Sequence, residues 1–186
     1  NKILSEELEK KGYTFSSANS INWGRLVPQI VYYFSAYADA VKAGKIQVGD
    51  SINFVVPTGN FGNILAGYYA KLMGLPVERL LCASNSNNVL TDFINSGIYD
   101  RRREFYKTIS PSMDILVSSN LERLLYNITD NDAERVANYM QRLNNDGNYQ
   151  IDADDLKKIQ NQRVAAIISG KCVTPAVEKK YIQVKT

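Results

Sequence analysis

Ser51-Ile52-Asn53-Phe54-Val55-Val56-Pro57, then Thr58-Gly59-Asn60-Phe61-Gly62-Asn63, then Ile64 to Met73 is the stretch that decides how this chain folds. Its opening run is short and β-prone, bounded by Gly49-Asp50 before it and Pro57-Thr58-Gly59 after it, which predicts a core strand. From about Gly62 to Met73 the period changes. Leu65, Tyr69 and Leu72 fall on one helical face, and Gly74, with Pro76 beyond, stops the run. Arg79 to Ser84 then resumes as a strand. Strand, tight loop, helix and strand in that order make the βαβ unit of a parallel α/β sheet, whose ligands bind at the carboxyl ends of the strands.

The loop itself has a chemistry. Gly59 and Gly62 let the backbone turn tightly between a strand end and a helix start. Several amides can then converge on one anion beside the positive end of the helix dipole, which is a phosphate cradle. No Lys-Ser or Lys-Thr pair follows as in the Walker sequence, and no third glycine completes a dinucleotide fingerprint. A bare Gly-x-x-Gly turn serves structure as readily as binding, so the loop alone leaves both readings open.

Upstream, Ser17-Ala18-Asn19-Ser20-Ile21-Asn22-Trp23-Gly24-Arg25 crowds polar residues before a long apolar segment. Ile30, Phe34, Tyr37 and Val41 repeat at helical spacing from Arg25 to Ala43, Pro28 sits near the first turn, and Gly44 is placed to end the helix. Leu26, Val27, Val31 and Ala38 occupy the other faces, so the helix reads as apolar nearly all round and buried, with Tyr32, Tyr33 and Tyr37 as core packing. The polar cluster is then a cap for orphan amides through Asn22 or Ser20. Arg25 adds a second reading, because its charged fork suits a carboxylate or a phosphate.

Later parts read as more helical. Leu121 to Ile128, Asp132 to Leu143 and Leu156 to about Ile168 show helical spacing, the last behind Asp152 and Asp155. The division expected is an α/β portion over 1–130 and a mainly helical continuation over 131–186, with Lys171 to Thr186 weakly patterned.

Composition removes several function classes. Histidine is absent, which excludes Ser-His and Cys-His nucleophile pairs and histidine metal sites within these residues. Twenty-two Lys plus Arg against 19 Asp plus Glu leave a net charge of +3, no footprint for nucleic acid. Arg101-Arg102-Arg103 with Lys107 lies among Asp100 and Glu104 and reads as a solvated face. Cys82 and Cys172 form no metal spacing and suit a reducing cytosol. No run approaches a membrane span, so a soluble, cytoplasmic protein is expected. Asn144-Asn145-Asp146-Gly147 fails as a calcium loop, because Arg142 and Ala153 stand where oxygen ligands are required.

Two longer stretches carry a resemblance. SANSINWGRLVPQIVYYF from Ser17 to Phe34, followed by VPTGNFGNILAGYYAKLMGLPV from Val56 to Val77, closely resembles threonine synthases of the longer bacterial and fungal type. Thr108-Ile109-Ser110-Pro111-Ser112-Met113-Asp114-Ile115, with Asn120 and Arg123 following, is similar to that family's Ser-x-x-Met-Asp segment. The resemblance runs from about Ser16 to Tyr126 and implies part of a fold-type-II pyridoxal-phosphate domain, a parallel sheet with helices on both faces.

What the resemblance implies for the residues is specific. Gly59, Asn60, Phe61, Gly62 and Asn63 match the loop that holds the phosphate of pyridoxal 5'-phosphate, and Asn19, Ser20, Asn22 and Arg25 match the segment lining the substrate pocket. Arg25 is the candidate for an anionic group of O-phospho-L-homoserine, which such an enzyme converts with water to L-threonine and phosphate. The family's Schiff-base lysine lies upstream of Ser17, and Lys2, Lys10 and Lys11 do not stand in its segment. The expectation is therefore a central piece of such an enzyme, inactive alone. Another fold-type-II lyase or dehydratase, or a non-catalytic phosphate-binding module, remains an alternative.

Overall fold

A computed structural model describes residues 2–14, 19–162 and 164–168. Helix α1 spans Lys2–Glu9 and α2 spans Trp23–Lys42; β1 (Ile52–Pro57), α3 (Gly62–Leu72) and β2 (Val77–Ser84) follow. Then come α4 (Val89–Ser96), β3 (Ile98–Asp100), a 3-10 turn at Pro111–Met113, α5 (Leu121–Ile128) and α6 (Ala133–Asn145). β4 (Asn148–Gln150), α7 (Ala153–Asn161) and β5 (Val164–Ile168) complete the order.

The central sheet has the order β1-β2-β5 and both pairings are parallel. Val56 lies beside Cys82, and Cys82 beside Ala166, so the three strands end together at one edge. The βαβ reading of 51–84 therefore holds, with α3 as the crossover. A small antiparallel pair, β3 with β4, sits apart, where Tyr99 opposes Tyr149.

Helix α3 is the packing centre. Ile64, Leu65, Ala66, Tyr68 and Ala70 are all buried, and Leu80 of β2 and Tyr33 of α2 close in on Gly67. A Cβ at Gly67 would stand 2.6 Å from Tyr33 Cε1 and 2.9 Å from Leu80 Cδ2, so only glycine lets helix, helix and strand meet this closely. Leu72 is 53% exposed, which corrects the expected Leu65, Tyr69 and Leu72 face; the buried arc is turned toward Ile64, Leu65 and Tyr68.

Helix α2 differs from its expected all-round burial. Leu26, Tyr33 and Tyr37 turn inward, and the Tyr33 ring meets Phe54 edge-on at 4.8 Å. Val27, Val31, Tyr32 and Phe34 are exposed, Val31 at 61%. The helix packs on α3 along one side, and Val27, Val31, Tyr32 and Phe34 stay exposed among the described residues despite their apolar character. Tyr32 is accordingly a surface residue and not core.

The expected helix from Leu156 to Ile168 is also corrected. Helix α7 ends at Asn161, and Val164–Ile168 is the strand that pairs with β2. A short Val-Ala-Ala-Ile-Ile run satisfies either period, and the open edge of β2 selects the strand. Among the described residues the stretch after 130 thus carries two helices and two strands, one strand being part of the central sheet. Lys171 to Thr186, and Cys172 with it, lie outside the described residues.

A second cluster of rings fixes the β3–β4 side. Tyr99 and Tyr149 stack at 5.3 Å between centroids, Tyr139 stacks on Tyr149 at 5.4 Å, and Phe93 meets Tyr99 edge-on at 5.7 Å. Arg135 of α6 pairs with Asp152 and with the buried Asp155, tying α6 to the start of α7. Asp100 and Asp92 pair with Arg102 and Arg103, so those two charges of the arginine run are matched by neighbours.

Candidate active site

Strand β1 ends at Pro57, and the backbone turns at once. Thr58 N–H donates to Ala83 O at 2.9 Å and its hydroxyl to Val56 O at 2.7 Å, so the turn is fastened to the strand ends before it reaches α3. Phe61 then adopts a left-handed conformation, φ 62°, ψ 4°, directly before the first helical residue. That conformation is uncommon for a bulky residue, and the ring's near-complete burial holds it there. With the ring inside, Phe61 offers a ligand its backbone and not its side chain.

Among the described residues the amide N–H groups from Gly59 to Asn63 meet no acceptor. They run along a strand-to-helix turn at the amino end of an 11-residue helix, where the dipole favours negative charge. The carbonyls of the same loop are already engaged. Ser118 Oγ donates to Gly59 O at 3.0 Å, and the Asn120 amide donates to Asn60 O at 3.1 Å. Donors without an acceptor among the described residues, beside acceptors that are filled, are an arrangement chemically suited to an oxyanion.

Close approach requires glycine at position 59 and leaves little room at position 62. A Cβ on Gly59 would lie 2.7 Å from Ser112 O, and one on Gly62 would lie 3.3 Å from Asn120 Nδ2. The side chain of Asn63 is turned away and holds α2 to α3. Tyr33 O–H contacts the Asn63 carbonyl and its Oδ1, each at 2.8 Å, and Asn63 Nδ2 donates to Gln29 Oε1 at 3.1 Å. Burial raises the Tyr33 phenol well above its ordinary range, so it remains a neutral donor.

The segment before α2 reaches the same place. Asn22 caps the helix by accepting from Gly24 N–H at 2.8 Å, as the capping reading anticipates. Ser20 donates to Asn19 Oδ1 at 3.1 Å. Ser20 O accepts from Asn120 Nδ2 at 3.2 Å, and Gln29, which holds Asn63, also donates to Arg25 O at 2.6 Å. Through Asn120 and Gln29 the structure brings the 19–25 segment beside the 59–63 loop, and residues 15–18 just upstream lie outside the described residues.

Residues without an assigned role in the sequence reading do much of the positioning. Tyr99 O–H donates to Leu116 O at 3.0 Å and accepts from Ser118 N–H at 2.9 Å, linking the ring cluster to the loop that grips Gly59. Burial pushes the Tyr99 phenol up to about 12. At the end of β2, Asn85 and Asn87 donate to Asp114 Oδ1 at 2.7 Å and 3.1 Å, and Thr108 N–H donates to Oδ2 at 2.7 Å. Led by that amide bond, these donors hold the Asp114 carboxyl below its ordinary value, so it stays an anion that clasps the 108–114 loop to the sheet edge. Only the Met-Asp and Asn-x-x-Arg positions of the resemblance hinted at these residues.

Cys82 is buried, and burial pushes its thiol up to about 11, which makes it an inert core residue. Among the described residues no group of acidic or thiol side chains could hold a metal ion. No described helix is long and apolar enough to cross a membrane.

Comparison with known proteins gives a consistent pattern. The chain is 49% identical over 172 residues to human threonine synthase-like 1, covering 91% of this chain and 23% of that protein. It is 39% identical over 188 residues to threonine synthase of Saccharomyces cerevisiae, covering 96% of this chain and 36% of the relative. Among solved structures, PLP-bound threonine synthase from Brucella melitensis superposes with a TM-score of 0.75 at 45% identity, over 83% of this chain and 32% of that one. The yeast enzyme structure gives 0.74 at 40% identity, over 81% and 30%. No family profile matches the chain. The chain thus spans about a quarter to a third of the proteins it matches.

Proposed function

We infer that this chain is a segment of a threonine synthase, and that the complete polypeptide uses pyridoxal 5'-phosphate to convert O-phospho-L-homoserine and water into L-threonine and phosphate. The single observation that carries this reading is the run of unfilled amides from Gly59 to Asn63, set beside the 19–25 segment at the carboxyl edge of a parallel sheet. Likeness to threonine synthases over most of the chain supplies the reaction.

The residues present fit the cofactor's phosphate. The loop's carbonyls are occupied, its amides face no acceptor among the described residues, a side chain at Gly59 would collide with the Ser112 carbonyl, and one at Gly62 would crowd Asn120. When bound, pyridoxal phosphate supplies an electron sink for bond making and breaking next to an amino-acid nitrogen. In our reading the amides of Gly59, Asn60, Phe61, Gly62 and Asn63 hold its phosphate. Asn19, Ser20, Asn22 and Arg25 line the substrate side, with Arg25 meeting an anionic group of the substrate by a two-donor fork.

Residues 1–130 are proposed to form part of the cofactor domain and 131–186 its continuation. The lysine that anchors the cofactor is assigned to a part of the polypeptide outside this chain, and the cytosol is the proposed compartment. It follows that these 186 residues alone form no threonine, since no lysine of the family's segment is among them and no histidine offers a substitute proton carrier.

Cofactor absorbance and phosphate release, measured on the same preparation of the complete polypeptide, test the reading. Uptake of pyridoxal phosphate with phosphate release from phosphohomoserine supports it. Cofactor uptake without that turnover moves the assignment to another lyase of the fold. Failure to take up the cofactor leaves a phosphate-binding module. Gly62→Val crowds the loop against Asn120 and is expected to weaken cofactor affinity; unchanged affinity would remove the loop from the phosphate site.

A further inference from the structure

Asn120 is fully buried and its side chain is fully used. Its Nδ2 donates to Asn60 O at 2.9 Å and to Ser20 O at 3.2 Å, positions 60 and 100 residues away along the chain. Its Oδ1 accepts from Arg123 Nη1, and Arg123 Nη2 donates to Ile21 O at 2.6 Å. A primary amide has two protons and one carbonyl oxygen, and every one of them is engaged.

The pattern exceeds what burial alone demands. Asn60 O already accepts from the Asn120 backbone amide at 3.1 Å, so the side chain is a second donor to a satisfied carbonyl. The other amide proton goes to Ser20 O, on a segment whose residues are largely exposed. Arg123 lies 5.9 Å from the Trp23 ring centroid and gives its guanidinium to Asn120 and to a main-chain oxygen of that segment. Bonds therefore run without a break from the 59–63 loop through Asn120 and Arg123 to Ser20 and Ile21.

We propose that Asn120, backed by Arg123, is a positioning residue that sets the distance and angle between the phosphate-holding loop and the substrate-side segment. The proposal rests on the functional reading above and adds to it a residue that touches neither ligand. A side chain spanning two ligand-bearing segments governs both affinities at once, because releasing it lets either segment drift. Such drift is felt at ångström scale in a binding constellation.

The test uses the complete polypeptide with three readouts: pyridoxal-phosphate titration of the cofactor-free form by absorbance, KM and kcat for phosphohomoserine at saturating cofactor, and thermal melting. Asn120→Ala removes two donors and is expected to weaken cofactor affinity about tenfold and raise KM about tenfold, with kcat within about threefold. Arg123→Lys keeps the charge and loses the fork; it is expected to raise KM severalfold and leave cofactor affinity within about twofold. A lowered melting temperature with cofactor affinity and KM both unchanged in Asn120→Ala would reduce the residue to a packing role and overturn the proposal. Should Asn120→Ala fail to fold, Arg123→Lys decides, and an unchanged KM there overturns it. A wild-type polypeptide that takes up no cofactor defeats the functional reading itself. One that takes it up, while Asn120→Ala behaves as wild type, defeats only the positioning role of Asn120.

Discussion

Helices α2 and α3 lie against each other and are both rich in apolar residues, yet they stand in opposite relations to water. Helix α3 is enclosed by α2, the sheet and α5, and it narrows to Ala66, Gly67 and Ala70 where those neighbours press closest. Helix α2 buries Leu26, Tyr33 and Tyr37, with Ile30, Ala36 and Val41 partly covered, and leaves Val27, Val31, Tyr32 and Phe34 in solvent. The difference shows that apolar count does not determine burial; the number of neighbours does.

Leu65→Ala is the severest expected break of this contrast, since Leu65 has no exposure and the enclosed site cannot collapse around the void. A loss of about 3 kcal/mol is expected by chemical denaturation of the chain. A loss under about 1 kcal/mol would mean that the packing around Leu65 can relax into the void.

Gly67→Ala comes next. The added methyl must displace the Tyr33 ring and Leu80 from under 3 Å, so about 2 kcal/mol of destabilisation is expected in the same assay. If α2 instead slides away freely, the cost falls toward zero and the two helices are not rigidly docked. Tyr33→Phe sharpens the point by keeping the ring and deleting the hydroxyl that contacts Asn63. About 1 kcal/mol is expected, together with faster hydrogen exchange at the start of α3.

Val31→Ser is the smallest change and the most diagnostic. On a face open to solvent it should move stability by less than about 0.5 kcal/mol. A cost above about 1 kcal/mol in the complete polypeptide, with none in this chain, would show that further residues cover α2 there.

Much of the strand-turn-helix around residues 58–63 was legible because its signals are local. A strand bounded by turn residues, two glycines and a change of period lie within a few residues of one another, and the structure has β1, the turn and α3 where that pattern puts them. Burial on α2 was not legible, because periodicity reports that a helix is apolar and says nothing of what stands opposite. The strand at Val164–Ile168 was hidden for a related reason: five small and β-branched residues fit two periods, and the choice is made by an open edge on β2, far away in sequence. Asn120 falls in the same class. Its partners lie 60 and 100 residues off, and nothing near position 120 announces them.

The buried ring of Phe61 has a consequence for timing. A flexible glycine loop would have to surrender its conformational freedom when an anion arrives, and that ordering would subtract from affinity. Here the left-handed turn is locked by a side chain that enters the core when the protein folds, so the loop's entropy is lost once, before any ligand is present. Phe61→Gly would ease the backbone and release the loop. On the proposed reading, an anion would then have to order the loop as it bound and would settle more slowly, although no backbone amide of the loop had been removed.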